Sequence, residues 1–99
     1  MYISIDCDCL DPAFAPGVSH IEPGGLSFRD VMDIVQNLKG TIVAGDVVEF
    51  NPQRDTVDGM TAMVAAKFVR ELTAKISKEI PLPHIERDVD MVKKWYMQI

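Results

Sequence analysis

The chain of 99 residues has few positive charges, no long apolar run and only two cysteines. Ten Lys and Arg residues stand against fifteen Asp and Glu, which argues against a surface that neutralises nucleic-acid phosphates. No apolar run approaches the roughly 18 residues of a membrane span, so no membrane contact is expected. The first residues carry no positive n-region and predict no secretory signal. Two cysteines in a C-x-C spacing form no disulfide framework, and we therefore expect an intracellular protein.

The order of apolar and polar stretches predicts an α/β fold with parallel strands. Residues 2–6 and 41–50 are rich in β-branched residues, and the second stretch is apolar on both faces, as in a strand that is covered on both sides. Residues 7–25, with several prolines and glycines, form a long loop before a helix. The resulting strand, loop, helix and strand make a βαβ unit. Because both strands keep an open edge, the complete sheet is expected to contain further strands.

Two amphipathic helices are predicted, one after each loop. Ser27 and Asp30 match a capping box with Asp in place of the usual Glu, so the first helix begins there, and Gly40 ends it as a C-cap. The second helix covers residues 60–78 and is stopped by prolines. Residues from His84 onward predict a short third helix. The apolar stripes of the first two helices are Phe28, Val31, Met32, Val35 and Leu38, and Met60, Val64, Phe68, Leu72 and Ile76.

Three aspartates, Asp6, Asp8 and Asp11, are crowded into six positions after the first strand. In an extended backbone Asp6 and Asp8 point to the same side, at the strand end where open parallel sheets bind ligands. Two hard oxygen ligands suit Mg²⁺ or Mn²⁺, whose charge would offset the repulsion between the carboxylates. Cys7 and Cys9 point the other way and suit buried apolar positions. On spacing alone, a solvated turn-capping loop is equally compatible with the pattern, and a sugar-nucleotide D-x-D site also stays open.

Glu49 is a further candidate, because it lies near the carboxyl end of the second strand, on the same rim as the aspartates. A carboxylate there would bind a cationic group and would match a guanidinium with two hydrogen bonds. The alternative is a strand-end residue that accepts hydrogen bonds from loop N–H groups. Asp46 lies inside the strand and suits a paired group behind the site. His20 lies in the long loop, where it would touch a substrate, shuttle protons or be solvated.

Several stretches resemble the signatures of one enzyme family. Residues 4–17, SIDCDCLDPAFAPG, with GGL at 24–26, resemble the S-x-D-x-D-x-x-D-P-x-x-x-P-G and G-G-L signature of the ureohydrolases, the family of arginases and agmatinases. Residues 46–52, DVVEFNP, are similar to the second signature strand of that family. Residues 17–23, GVSHIEP, and 55–62, DTVDGMTA, look most like the plant arginase branch.

The resemblance implies a parallel sheet in a three-layer α/β/α arginase-like fold, with two Mn²⁺ ions and a small guanidino substrate, arginine or agmatine, that is hydrolysed to urea. Residues 1–78 would form the C-terminal part of that fold, with two strands and two to three helices. Asp6 would bridge the metal ions, Asp8 would ligate one of them, and Glu49 would hold the guanidinium, with His20 near the substrate. Full-length members form homo-oligomers, and the plant branch implies a mitochondrial or cytoplasmic location.

The resemblance also implies ligands that this sequence lacks. The Gly-Gly-Asp-His and Asp-x-His-x-Asp motifs that supply the other metal ligands of the family are missing, and the two histidines are His20 and His84. Residues 79–99 match no ureohydrolase C-terminus and form a divergent tail. Because ligand number sets most of the affinity for a metal pair, we predict that the chain alone is nearly inactive. The alternative is a non-catalytic truncated protein or interaction module that packs against a full-length relative.

Overall fold

Two parallel strands form the sheet of the computed structural model, which describes residues 1–78. Strand β1 (Tyr2–Asp6) and strand β2 (Ala44–Val48) pair residue for residue over their full length. β1 has the bounds that the sequence predicts, and the parallel pairing confirms the βαβ order. Both strands end at the same edge of the sheet, which we call the carboxyl edge.

Strand β2 is shorter than the predicted segment 41–50. Glu49 (φ 67°) directly follows Val48, and a left-handed backbone cannot continue an extended ladder, so the strand ends at Val48. The prediction that β2 is covered on both faces is also not met within residues 1–78. There, residues 44–47 of β2 are half-buried and Val48 is exposed, so neither face of the strand is fully covered.

Helix α1 (Phe28–Asn37) begins at the predicted cap. The backbone N–H of Asp30 donates to Ser27 Oγ at 3.0 Å, and the N–H of Ser27 donates to Asp30 Oδ2 at 3.0 Å. Both bonds of the capping box are therefore present, with Asp as a working substitute for Glu. The start of α1 is therefore stabilised by hydrogen bonds between residues of its own first turn.

The other end of α1 differs from the prediction. The helix stops three residues before Gly40, at a point where Lys75 from the second helix reaches across. Lys75 Nζ donates to the carbonyl oxygens of Gln36 at 3.0 Å and Leu38 at 3.1 Å. An ammonium suits the free carbonyls and the negative end of the helix dipole, so a lysine rather than a glycine caps α1.

Helix α2 (Met60–Ser77) confirms the second predicted helix, one residue short of its expected end. Phe68 is fully buried and stacks on Phe28, with ring centroids 5.4 Å apart. Leu72 is buried as well, while the other predicted apolar positions of α2 are half-buried. The buried cluster between sheet and helices consists of Ile3, Ile5, Leu10, Ala15, Val31, Met32, Val35, Ile42, Phe68 and Leu72.

The two loops that leave the carboxyl edge contain short 3-10 turns, Cys7–Cys9 after β1 and Pro52–Arg54 after β2. Across the described part of the chain, no helix is long and apolar enough to cross a membrane. The third helix predicted from His84, and the tail 79–99 as a whole, lie outside the described residues. The fold therefore places both loops that carry the candidate residues at one edge of the sheet.

Candidate metal and substrate site

Asp6 and Asp8 lie together at the end of β1, but the strand does not carry both. β1 ends at Asp6, and Asp8 belongs to the 3-10 turn that follows. The backbone N–H of Asp8 donates to Asp6 Oδ1 at 2.7 Å, so the first carboxylate caps the turn that holds the second. The expected extended backbone is therefore wrong, because a short aspartate side chain bonds the backbone two residues on in preference to continuing the strand.

Asp8 contains the one buried side-chain oxygen or nitrogen atom of the described residues that has no hydrogen-bond partner. Its Oδ1 is buried and has no hydrogen-bond partner. A buried carboxylate oxygen without a partner is costly, and native structures rarely leave one without a ligand, water or counter-charge. This oxygen fits a cation that would lie beside Asp6.

The described residues fit a metal ion only in part. Carboxylate oxygens are the donors that Mn²⁺ accepts, and the unpartnered oxygen of Asp8 supplies one beside Asp6. Among residues 1–78, however, no three His, Cys, Asp or Glu side chains come close enough to hold a metal ion. The residues fit a share of a metal site whose further ligands would come from other segments.

The two cysteines do not belong to this ligand set. Cys7 is fully buried, as predicted, and burial, with the nearby Asp6 carboxylate, raises the pKa of its thiol to about 11. Burial likewise raises the pKa of the half-buried Cys9. Both thiols are therefore protonated at neutral pH, and the thiolate form that binds metals is disfavoured.

Asp11 closes the long loop on itself. Its Oδ1 accepts from the N–H of Ala13 and its Oδ2 from the N–H of Gly24, both at 2.9 Å. These bonds lower the pKa of Asp11. Beside it, the Asp11 N–H donates to the Leu26 carbonyl at 2.8 Å, and the Leu26 N–H donates to the Cys9 carbonyl at 2.9 Å. The start and the end of the loop are thereby joined next to the aspartate pair.

Acid is expected to destabilise this loop. A carboxyl whose pKa is lower in the folded chain than its unfolded value of about 3.9 stabilises the fold above that pH, and the stabilisation is lost as the pH falls through the folded pKa. Thermal melts should therefore show a lower Tm at pH 2.5 than at pH 5. The Asp11→Asn variant should have a lower Tm than the unchanged chain at pH 5, and its Tm should fall by less between pH 5 and pH 2.5. An equal acid effect in both chains would mean that Asp11 contributes nothing to it.

Glu49 lies one residue beyond Val48, the register partner of Asp6, so it emerges at the carboxyl edge beside β1. Its side chain is exposed, and its backbone is left-handed. Among the non-glycine residues described, Glu49 alone has a positive φ. For an L-residue this conformation costs roughly 1 kcal/mol or more, and such strain tends to occur at functional sites.

His20 is exposed and lies on the loop that faces residues 49–51, which we call the Glu49 turn. The backbone N–H of Asn51 donates to the Gly17 carbonyl at 2.7 Å, and Asn51 Nδ2 donates to Ser19 Oγ at 3.1 Å. These bonds bring the segment before His20 to the segment after Glu49. The structure thus brings both loops together, while the exposed Glu49 and His20 side chains belong to no common cluster with the aspartates within residues 1–78.

Asp46 is paired, as the sequence predicts. Its two carboxylate oxygens accept from the hydroxyl groups of Tyr2 and Ser4 on β1. These bonds lower the pKa of Asp46, Ser4 contributing most, and the bond to Asp46 raises the pKa of Tyr2. The network ties β2 to β1 on the exposed face of the sheet that also carries Asp6.

Sequence reasoning did not single out Asn51, Asp55 or Thr61. Asp55 accepts from the N–H of Thr61 at 2.8 Å and of Ala62 at 2.9 Å, and so caps α2 in place of its left-handed Gly59. Thr61 is fully buried. The signals were present in the quoted stretches: an Asn before a Pro, and an Asp just upstream of a helix.

The acidic pair lies at the carboxyl edge of a parallel α/β unit, which is the edge where open α/β enzymes bind their ligands. Residues 1–74 match the family model described as the Arginase family, and the chain belongs to this family. The fold neighbours are arginases and agmatinases, so the α/β arginase-like architecture expected from the resemblance is confirmed for the part that the chain contains.

Individual relatives are close in sequence. The chain is 86% identical over 78 residues to the mitochondrial arginase 1 of Oryza sativa subsp. indica, covering 79% of this chain and 23% of that protein. The solved arginase of Medicago truncatula matches with a TM-score of 0.75 at 72% identity, over 76% of this chain and 24% of that one. A hypothetical agmatinase of Burkholderia thailandensis matches with a TM-score of 0.66 at 43% identity, over 72% and 23%. The chain thus spans about a quarter of the length of these relatives.

Proposed function

We propose that the chain supplies part of the active site of a manganese-dependent ureohydrolase that hydrolyses arginine to urea and ornithine. The observation that carries the proposal is the buried, unpartnered Oδ1 of Asp8 beside Asp6, since such an oxygen suits a metal ion. The choice of arginine is supported by 86% identity to a rice arginase, against 43% to the agmatinase structure.

In this proposal, some residues of the chain bind the metal and others bind the substrate. Asp6 and Asp8 are metal ligands, and the hydrogen bond from the Asp8 N–H fixes the orientation of the Asp6 carboxylate. The metal pair, when bound, supplies the positive charge that activates water toward the guanidinium carbon. Glu49 accepts two hydrogen bonds from the guanidinium and so orients its plane, and His20 contacts the substrate from the facing loop.

Assembly and location follow the relatives in this proposal. The sheet of residues 1–78 has two strands, each with an unpaired edge, which suits pairing with further strands of the fold. The homo-oligomer of the complete protein is proposed from the resemblance to the full-length family. The rice relative is a mitochondrial arginase by name, which favours an intracellular and mitochondrial location here. Agmatine is the competing substrate, favoured by the fold match to the agmatinase.

The isolated chain is expected to release no urea above a blank that contains Mn²⁺ alone. Two carboxylates leave most coordination positions of a metal pair to water, and ligand number sets most of the affinity. The measurement is urea formation from arginine and from agmatine by the purified 99-residue chain. Steady release above the blank would contradict the need for further ligands.

A chimera supplies the missing part of the site. Residues 1–78 replace the matching segment of the Medicago truncatula arginase, to which this chain is 72% identical. The chimera is expected to hydrolyse arginine in preference to agmatine, and Asp8→Asn in the chimera is expected to weaken Mn²⁺ binding in calorimetry. A folded, metal-loaded chimera without arginine hydrolysis would overturn the proposed function, and a preference for agmatine would overturn the choice of substrate.

A further inference from the structure

Asn51 connects the two loops that carry the proposed substrate groups. Two residues before it lies Glu49, and its backbone N–H donates to the Gly17 carbonyl at 2.7 Å. Its side-chain Nδ2 donates to Ser19 Oγ at 3.1 Å, next to His20. We call Asn51 together with Gly17 and Ser19 the Asn51 latch.

The side chain of Asn51 is fixed by a second bond. Asn51 Oδ1 accepts from the N–H of Gln53 at 3.1 Å, and the Asn51 carbonyl accepts from the N–H of Arg54 at 3.1 Å. Because the amide oxygen is engaged in the turn, the amide nitrogen is the atom that faces Ser19. All the polar groups of Asn51 are thus hydrogen-bonded. Its two oxygen atoms accept bonds from its own turn, and its two nitrogen atoms donate to the opposite loop.

The loop opposite Asn51 is itself bonded to the start of α2. The N–H of Gly17 donates to Thr61 Oγ1 at 2.8 Å, and Thr61 is fully buried at the start of α2. A Cβ on Gly17 would lie 2.9 Å from Thr61 Cβ and 3.0 Å from Asp55 Cβ, so the loop backbone packs directly on the helix cap. Gly17 is held from one side by α2 and from the other by Asn51.

The latch also lies where the backbone is strained. Glu49 is left-handed, and a strained conformation persists only where the surroundings over-determine it. Asn51 follows at two residues' distance, and its bonds to the turn and to the opposite loop provide such surroundings. A change in the Asn51 latch is therefore expected to shift the positions of both Glu49 and His20.

We propose that Asn51 is a positioning residue, which through Ser19 and Gly17 holds the Glu49 turn and the His20 loop at a fixed separation for the substrate. The proposal rests on the proposed function, because it takes Glu49 and His20 as the substrate groups. It differs from a local capping role, in which Asn51 serves only the turn Pro52–Arg54.

Variants separate positioning from capping. Ser19→Ala removes the acceptor of the latch and leaves the cap of Asn51 intact, whereas Ser19→Thr keeps the hydroxyl group. Asn51→Ser keeps a capping oxygen but is too short to reach Ser19. In the arginase chimera, Ser19→Ala and Asn51→Ser are expected to raise KM for arginine about fivefold, the effect of one neutral hydrogen bond, with kcat within about twofold. Ser19→Thr should restore KM.

The intact 99-residue chain provides a readout that is independent of catalysis. Amide hydrogen exchange at residue 51 should accelerate about fivefold in Ser19→Ala, while exchange at Gly17, which is bonded to Thr61, stays unchanged. An inactive wild-type chimera with this exchange pattern would count against the proposed function and leave the latch in place. Unchanged KM in both variants, loss of kcat at constant KM, or uniformly fast exchange at both amides would overturn the positioning role.

Discussion

Replacing Gly25 with alanine is expected to lower the free energy of unfolding by about 3 kcal/mol, the upper part of the range for overpacking. A Cβ at Gly25 would lie 2.8 Å from the backbone nitrogen of Asp11, 2.8 Å from the carbonyl carbon of Leu10 and 2.9 Å from the carbonyl oxygen of Cys9. These are backbone atoms, so no flexible side chain can move aside. The loop would have to separate where Leu10 and Leu26 form their bridge.

The neighbouring glycine is the matched control. Gly24 has a φ of 89°, and a Cβ added there would meet no atom within 4 Å, so Gly24→Ala meets backbone strain and no clash. Its cost should be about 1 kcal/mol, and Gly24→Asn, which tolerates a left-handed backbone, should cost less. Thermal and urea unfolding of the isolated chain and of the chimera give the comparison. Equal melting of Gly25→Ala and Gly24→Ala would show that the loop relaxes around the added methyl group.

The pair of glycines explains a feature of the family signature in physical terms. Gly24 is needed for its backbone conformation, and its N–H is one of the donors to Asp11. Gly25 is needed for the close approach of the loop end to the residues after Asp8. Residues 9–11 and the glycine pair are therefore two sides of one contact, although Asp11 and Gly24 are 13 positions apart in the sequence.

Local patterns predicted the elements whose causes are local. The bounds of β1, the capping box of Ser27 and the apolar face of α2 around Phe68 all follow from residues within a few positions of each other. The family and the acidic pair at the carboxyl edge were also readable, because the signature is long and contiguous in the sequence.

Contacts between distant residues account for the cap of α1 and for Asn51, and a local contact accounts for the turn at Asp8. Lys75 caps α1 from 37 positions beyond Leu38, and no pattern near Gly40 could reveal it. The 3-10 turn at Asp8 forms because the Asp6 side chain bonds a backbone group in competition with the strand. Asn51 is significant only because the fold brings Ser19 to it across 32 positions. For Lys75 and Asn51 the partner becomes apparent only in the folded chain, because it lies more than 30 positions away in the sequence.

Replacing Glu49 with glycine is expected to stabilise the fold and to reduce arginine hydrolysis strongly. Glycine adopts the left-handed conformation at φ 67° without the steric cost that an L-side chain bears, so the free energy of unfolding should rise by about 0.5 to 1 kcal/mol. The same change removes the carboxylate proposed to hold the guanidinium. In the chimera, kcat/KM for arginine should fall roughly 10²- to 10³-fold, as for the loss of two hydrogen bonds to a charged group at about 1.5 to 2 kcal/mol each.

Glu49→Ala separates the two effects, because it also removes the carboxylate but keeps a Cβ on the left-handed backbone. It should lose as much activity as Glu49→Gly without the gain in Tm. Equal Tm values for the two variants would mean that the strain is negligible, and retained activity in either would remove Glu49 from the substrate site. If both expectations hold, the chain keeps a strained glutamate at the end of β2 at a cost in stability, and binding of the substrate is the physical reason.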